Sequence, residues 1–155
     1  MCGICGVLNL SPSKRTDRTV IQQMLEMIRH RGPDGIGIYS DEYIALGNAR
    51  LSIIDLETGD QPISNEDETL WIVLNGEIFN YIELRQDLER RGHRFKTKSD
   101  TETLLHAYEE FGVACLERIN GQFSFAIWDN VNHSLFLARD RLGITPLFYT
   151  IMRRN

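Results

Sequence analysis

The first residues of the chain have the types and spacing that could carry out thiol chemistry. The sequence opens MCGICG, so Cys2 follows Met1 directly and Cys5 comes three residues later. A C-x-x-C pair occurs in redox proteins and in zinc sites, and free cysteines are also common as small buried hydrophobic residues. A third interpretation applies to Cys2 alone, because it becomes the first residue of the chain if Met1 is removed.

The interpretations that use the two cysteines as a pair agree poorly with the rest of the sequence. A structural zinc site needs four ligands, and the chain has only one further cysteine, Cys115, and four histidines that are not closely paired. A thioredoxin-like C-x-x-C follows a strand at the start of a helix, whereas this one precedes a predicted strand. We therefore expect no metal site, and we expect Cys5 and Cys115 to be buried hydrophobic residues.

Cys2 could instead act as a nucleophile with its own base. A residue as small as cysteine permits removal of Met1, which would leave a thiol and an α-amine on the same residue. An unperturbed α-amine has a pKa of about 7.7–8.0, so it can act as a general base near neutral pH. An N-terminal amine that activates its own side chain is a recognised nucleophile strategy. Such a site needs no catalytic histidine.

Length and composition limit the kinds of protein to which this chain can belong. Its 155 residues are the length of one domain, and 42% hydrophobic and 25% charged residues are typical of a soluble globular protein. The net charge of -5 and the scattered basic residues give no indication of nucleic-acid or membrane binding. No apolar run reaches the roughly 20 residues of a membrane span. We expect no signal peptide, because no charged region precedes the short apolar stretch near Met1. We expect a cytoplasmic protein with reduced thiols.

Periodicity and turn signals predict an α+β domain whose elements do not follow a regular βαβ order. Helices are expected from Thr16 or Asp17 to about His30, up to Gly92, and from a capping box at Ser99 and Glu102 to Gly112. Strands are expected at residues 6–10, 70–75, 93–99, 121–129, 134–140 and 142–152. Residues 35–55 are expected to form a hairpin that turns at 40–42, followed by a further extended segment.

Seven motifs in order along nearly the whole chain carry a resemblance to a known family. They are MCGICG, HRGPDG at 30–35, ARLSIIDL at 49–56, LNGEIFNY at 74–81, SDTE at 99–102, GQFSFAIWD at 121–129 and ARDRLGITPLFY at 138–149. On these motifs the sequence resembles the class II glutamine amidotransferases, the N-terminal nucleophile type, and is most similar to the glutaminase domain of asparagine synthetases. The resemblance implies a four-layer αββα sandwich of the N-terminal nucleophile hydrolase type, from which the last strands can be missing here.

The resemblance also implies a reaction, which is the hydrolysis of glutamine to glutamate and ammonia. In the family the ammonia passes to an ATP-dependent synthetase such as asparagine synthetase. The sequence has no S-G-G-x-D-S motif of an ATP pyrophosphatase, so we expect residues 1–155 to be a truncated glutaminase domain without its synthetase domain and without a cofactor of its own. ATP and Mg are expected only in that separate or missing domain or subunit, and the chain could form a homodimer. The alternative is a truncated, inactive domain that only binds a partner or glutamine.

Three residues are expected to be catalytic. By resemblance, Cys2 attacks the glutamine amide, and Asn75 and Gly76 donate hydrogen bonds to the oxyanion that forms. We expect a side chain at Gly76 to crowd the substrate. An Asn-Gly pair is by itself also typical of a hairpin turn, so these two residues could have either role or both.

The remaining candidates are expected to bind the substrate zwitterion. The guanidinium of Arg50 matches an α-carboxylate, although it could also be a solvated surface charge. Asp100 matches an α-ammonium, although it could also cap a helix. By resemblance, further pocket residues are Glu77, Leu51, Ser52, Ile53 and Ile54. The charges of HRGPDG and ARDRLG are expected to be mainly structural.

Overall fold

Residues 1–10 and 17–152, which a computed structural model of the chain describes, form two β-sheets and three α-helices. The strands are β1 (Gly3–Leu8), β2 (Gly35–Ser40), β3 (Ile44–Arg50), β4 (Ile63–Ser64), β5 (Leu70–Ile78), β6 (Gly121–Asp129) and β7 (Ser134–Arg139). The helices are α1 (Arg18–Ile28), α2 (Tyr81–Arg90) and α3 (Asp100–Phe111), with short 3-10 turns at Arg29–Arg31 and Gly112–Glu117. The first sheet has the order β1-β3-β2 and the second the order β4-β5-β6-β7, and all neighbouring strands are antiparallel.

These elements stack in four layers. Helix α1 buries Ile21 and Leu25 against the outer face of the first sheet, and α2 and α3 cover the outer face of the second. The two inner faces meet on an apolar cluster formed by Ile44, Leu46, Val73, Ala126 and Trp128. Burying each large side chain stabilises the fold by about 1.5–3 kcal/mol. The predicted α+β, αββα arrangement is confirmed.

The helix starts follow the predicted signals in part. Asp17 caps α1 by accepting a hydrogen bond from the Thr19 amide at 2.8 Å, and Thr16 lies outside the described residues. Ser99 caps α3 by accepting from the Glu102 amide at 3.1 Å. The cap is therefore Ser99, so Asp100 is available for another contact.

Two predicted strands and one predicted extended segment are wrong. Residues 93–99 are not a strand because the Glu102 carboxylate binds the amides of Lys96 and Thr97, at 2.8 and 2.7 Å, instead of closing a capping box at Ser99. Residues 142–152 form no strand. The predicted hairpin is confirmed as β2 and β3, but the extended segment expected after it is not, because residues 51–62 form a loop.

Candidate active site

Cys2 lies immediately before β1, next to the end of β3. Gly3 pairs with Ala49 across the sheet, which places Cys2 beside Leu51. The Leu51 amide donates to the Cys2 Sγ at 3.3 Å, and the thiol lies 3.5 Å from the Leu51 carbonyl oxygen. On the other side, Arg31 Nε donates to the Cys2 carbonyl at 3.2 Å. The position of Cys2 is therefore fixed through both its side chain and its backbone.

The second cysteine of the C-x-x-C pair faces away from Cys2. Successive side chains of a strand point to opposite faces, and a Cβ added at Gly47 would lie 3.1 Å from the Cys5 Sγ and 2.9 Å from Leu25 of α1. Burial raises the pKa of the partly buried Cys5 thiol to about 11, and it raises the pKa of the fully buried Cys115 to about 11 as well. Neither thiol is activated, which agrees with the expected packing role.

The inner faces of the two sheets change from apolar to polar along the same direction. On each strand every second side chain faces inward. These rows of inward-facing residues are Ile44, Leu46, Asn48 and Arg50 on β3, Val73, Asn75 and Glu77 on β5, and Trp128, Ala126, Ser124 and Gln122 on β6. The apolar halves of these rows form the cluster between the sheets. The polar halves end at a cleft that is lined by Arg50, Glu77 and Gln122.

This cleft brings together most of the residues that the sequence singled out. Eight of the ten predicted residues line it, namely Cys2, Arg50, Leu51, Ile53, Ile54, Gly76, Glu77 and Asp100. Met1 also lines the cleft, so its removal would open the site at Cys2. Ser52 and Asn75 do not line the cleft: Ser52 lies in the loop after β3, and Asn75 lies on β5.

Asn75 lies directly behind the cleft wall, next to Gly76 on β5. It is only 3% exposed, and its side-chain Oδ1 has no hydrogen-bond partner in the described part of the chain. A buried amide without a partner is unusual, because leaving such a group unpaired costs about 1–3 kcal/mol. Because β5 continues to Ile78, Asn75 and Gly76 are within a strand and do not form a turn.

Gly76 must be glycine for a reason that differs from the predicted one. Its φ of +145° lies where residues with a side chain are strained, and a Cβ would lie 2.0 Å from the Gln122 carbonyl oxygen of β6. The obstacle to a side chain is therefore the neighbouring strand. This close approach of β5 to β6 sets where the Gly76 backbone meets the cleft.

Arg50 is a buried cation and not a solvated surface charge. Its side chain is 8% exposed, and its Nη1 donates to Asp60 Oδ1 at 2.5 Å. Its Nη2 donates to the carbonyls of Ile54 and Asp55 at 3.4 and 2.5 Å. The guanidinium thus holds the loop that follows β3 and already binds a carboxylate, that of Asp60.

Two aspartates hold the same loop in place, one from outside the loop and one from within it. The Ser52 amide donates to Asp34 Oδ2 at 2.8 Å, so Ser52 faces the HRGPDG segment. The Lys98 amide donates to Asp55 Oδ2 at 2.7 Å, which joins the loop to the residues before α3. The predicted structural role of HRGPDG agrees with these contacts.

Asp100 lies in the cleft at the start of α3. Its Oδ2 accepts a hydrogen bond from the Ile78 amide at 2.9 Å, and the residue is 5% exposed. Burial raises its pKa, and the nearby Glu77 carboxylate raises it further against the effect of the backbone hydrogen bonds. Two acidic side chains on one wall of the cleft favour a cationic ligand group.

Gln61 lines the cleft but was not predicted from the sequence. Its Oε1 accepts hydrogen bonds from the Leu74 amide at 2.6 Å and from Asn48 Nδ2 at 3.1 Å, and its Nε2 donates to Thr101 Oγ1 at 3.2 Å. One side chain therefore connects both sheets and α3. Its position in a polar loop resembles that of any solvated glutamine, so no local signal distinguishes it.

No residue of the ARDRLG segment lines the cleft, and the segment is held by turn contacts. Burial opposes ionisation of Asp140, but hydrogen bonds from the amides of Ile144, Thr145 and Phe123 outweigh it and lower its pKa to about 2. The Arg139 guanidinium binds the carbonyls of Gly143 and Thr145. These contacts agree with the predicted structural role.

Comparisons with known proteins give a consistent picture for the whole chain. A family model described as "Glutamine amidotransferase domain" matches residues 1–155. Asparagine synthetase [glutamine-hydrolyzing] 1 of Bacillus subtilis (strain 168) is 51% identical over 152 residues, which cover 97% of this chain and 24% of that protein. The enzyme of the same name from Arabidopsis thaliana is 42% identical over 148 residues, which cover 96% of this chain and 25% of that protein. The chain thus spans about a quarter of the length of these relatives.

A solved structure shares the fold. The glutamine phosphoribosylpyrophosphate amidotransferase from B. subtilis, complexed with ADP and GMP, aligns with a TM-score of 0.66 over 92% of this chain and 37% of that chain. The two sequences are 21% identical, so the likeness concerns the fold alone. Over the described residues, no helix is both long and apolar enough to cross a membrane.

Proposed function

Because this chain belongs to the glutamine amidotransferase domain family, we propose that it hydrolyses the side-chain amide of glutamine to give glutamate and ammonia. The observation that carries the proposal is the position of the Cys2 thiol in a cleft that is also lined by Arg50 on one strand and Asp100 on a helix. A nucleophile, a cation and an anion in one cleft are what a reaction on a free amino acid requires.

The proposed reaction starts once Met1 has been removed. The Cys2 thiol adds to the amide carbon of glutamine, and its α-amine accepts the thiol proton and then delivers it to the leaving nitrogen. Collapse of the tetrahedral intermediate breaks the C–N bond, releases ammonia and leaves a glutamyl thioester. Water adds to the thioester, the amine again transfers the proton, and the C–S bond breaks to give glutamate and the free thiol.

The cleft offers a suitable donor for the oxyanion of both tetrahedral intermediates. Asn75 has a buried side-chain amide whose Oδ1 lacks a partner among the described residues, and it adjoins Gly76, which lines the cleft. In the proposed reaction its NH₂ group would donate to the oxyanion beside the Gly76 amide. Removing one such donor typically lowers the rate by about 10²–10³.

Charge complementarity supports glutamine as the substrate. The α-carboxylate of the substrate would bind Arg50, whose Nη1 now binds the exposed carboxylate of Asp60. The α-ammonium would bind Asp100 and Glu77, and its positive charge would offset the burial and the Glu77 repulsion that raise the pKa of Asp100. The backbone between Leu51 and Ile54 would enclose the side chain.

We propose that the ammonia is supplied to an ATP-dependent synthetase domain or subunit. The names of the relatives and their fourfold greater length support this, and they favour asparagine as the final product. ATP and Mg would bind in that part and not to residues 1–155. Three free thiols support a reducing compartment such as the cytoplasm. The match to the amidotransferase family and to glutamine-hydrolysing relatives does not favour the alternative of a domain that only binds.

The test is the intact mass of the purified protein before and after treatment with a γ-electrophilic glutamine analogue. We expect loss of Met1 and a single adduct that maps to Cys2, is prevented by glutamine and is absent in Cys2→Ala. The matched control is Cys5→Ser, which lies on the opposite face of β1 and should be labelled like the unmodified sequence. Labelling of Cys5, or no adduct on a protein that begins with Cys2, would overturn the proposal.

A further inference from the structure

A second cluster of chemically active side chains lies along α3, and none of its residues lines the cleft. His106 and Glu109 are on α3, His93 is in the segment between α2 and α3, and Glu66 is in the turn between β4 and β5. Ligand atoms of Glu66, His93 and His106 all lie within 4.8 Å of one another. We propose that these residues, together with Glu109, bind one divalent transition-metal ion of the zinc type.

Three of the distances between ligand atoms are close to those of a tetrahedral site. Bonds of about 2.0–2.1 Å from zinc to nitrogen and oxygen place neighbouring ligand atoms about 3.3 Å apart. The Glu109 Oε2 lies 3.0 Å from His106 Nδ1 and 3.3 Å from His93 Nδ1, and the Glu66 Oε2 lies 3.7 Å from His106 Nδ1. Both imidazoles therefore direct the same ring nitrogen toward the position that an ion would occupy.

Each imidazole also has a carboxylate behind its other nitrogen. His93 Nε2 lies 3.2 Å from Glu110 Oε2, and His106 Nε2 lies 3.8 Å from Glu102 Oε1. Metal-bound histidines usually have such a carboxylate, which fixes the tautomer and makes the ligand nitrogen more basic. His106 is completely buried, and its Nε2 has no hydrogen-bond partner among the described residues. A metal on Nδ1 would direct the Nε2 proton toward Glu102.

The surroundings hold the cluster in place without closing it. The Phe95 ring packs edge-on against His106, with ring centres 4.6 Å apart. His106 and Glu109 are three positions apart on one helix, so their side chains lie on the same face. Glu66 is exposed and His93 is partly exposed, which leaves a route for an ion. Imidazole nitrogens with carboxylate oxygens suit zinc better than calcium or magnesium, which prefer oxygen alone.

An ion at this position would connect three segments that no disulfide joins. It would tie the β4–β5 turn and the 91–99 segment to α3. The 91–99 segment contains Lys98, whose amide donates to Asp55 in the loop after β3. Because binding to the folded state alone raises its stability, the ion should raise Tm.

The site does not depend on the proposed glutamine hydrolysis. His93 and His106 are far apart in the sequence, so the histidine spacing did not predict it.

The test is a titration of the chelator-treated full chain with Co²⁺, followed by its visible absorption, and then displacement by Zn²⁺. We expect one ion per chain with the intense d–d bands of tetrahedral cobalt, and a higher Tm with Zn²⁺. Glu66→Gln and His93→Gln should each weaken binding by at least about tenfold while leaving the circular dichroism spectrum unchanged. Glu66 is at the surface, so its replacement keeps the test valid if His93→Gln folds poorly.

Two controls separate this site from incidental binding. His133→Gln removes an exposed histidine elsewhere and should bind Co²⁺ like the unmodified sequence. Cys2→Ala removes the partly exposed thiol of the cleft and should also keep full affinity. Binding that is lost in Cys2→Ala, binding that Glu66→Gln and His93→Gln leave unchanged, or no binding at all would each overturn the proposal, and the cluster would then be a network of ion pairs.

Discussion

Asp60 holds the guanidinium that the substrate carboxylate is proposed to bind. Its carboxylate lies 2.5 Å from Arg50 Nη1, yet 82% of its side chain is exposed, whereas the Arg50 side chain is 8% exposed. A substrate carboxylate that binds Nη1 of Arg50 would therefore displace Asp60. We predict that Asp60→Asn lowers KM for glutamine and leaves kcat unchanged.

The size of the effect follows from the exposure of the pair. Ion pairs with an exposed partner contribute about 0.2–1 kcal/mol. If this contribution is lost each time substrate binds, removing the charge of Asp60 should lower KM by about 1.4- to fivefold. Asp60→Ala, which also removes the hydrogen-bond acceptor, should have at least the same effect.

The assay is glutamate release at varied glutamine concentration, together with the rate at which the γ-electrophilic analogue labels Cys2. Both should show tighter binding in the two Asp60 variants. Glu57→Gln is the matched control, because it removes one exposed negative charge from the same loop without a contact to Arg50 and should leave KM unchanged. A KM that stays the same or rises in Asp60→Asn would refute the reasoning and would mean that Asp60 supports the cleft.

Three further predictions concern other positions. Asn75→Ala should lower kcat for glutamine hydrolysis by about 10²–10³ with a smaller effect on KM, since an oxyanion donor acts mainly in the transition state; equal losses from Asn65→Ala, a buried asparagine outside the cleft, would argue against this role. Gly76→Ala should lower Tm strongly, because its Cβ would lie 2.0 Å from the Gln122 carbonyl oxygen, whereas Gly35→Ala, with open space around its Cβ, should change Tm little. Asp140 has a folded-state pKa of about 2, below its unfolded value, so the stabilisation that it contributes is complete above about pH 4 and is lost as pH falls toward 2. Asp140→Asn should therefore make the free energy of unfolding depend less on pH in that window. It should leave the dependence above pH 5 unchanged.

Local patterns were sufficient where neighbouring residues decide the structure. The alternation of apolar residues predicted β6 and β7, and the polar residues before α1 and α3 predicted Asp17 and Ser99 as caps. The same reasoning failed for residues 93–99, whose extended pattern is overridden by the Glu102 carboxylate six residues downstream of Lys96. A side chain that binds backbone amides a few residues away leaves no periodic signal in the sequence.

The sequence alone determined the candidates for chemistry, and the tertiary structure decided their relationships. Cys2 could be proposed as a nucleophile because it follows Met1 directly, whereas Arg50 and Asp100 were selected from many charged residues by the resemblance of their motifs to the family. Only the packing of the two sheets shows that Asp60 binds Arg50, that β6 is what requires glycine at position 76, and that His93 approaches His106. These relationships depend on strand register and on loops that return across the fold, and both are fixed by long-range packing.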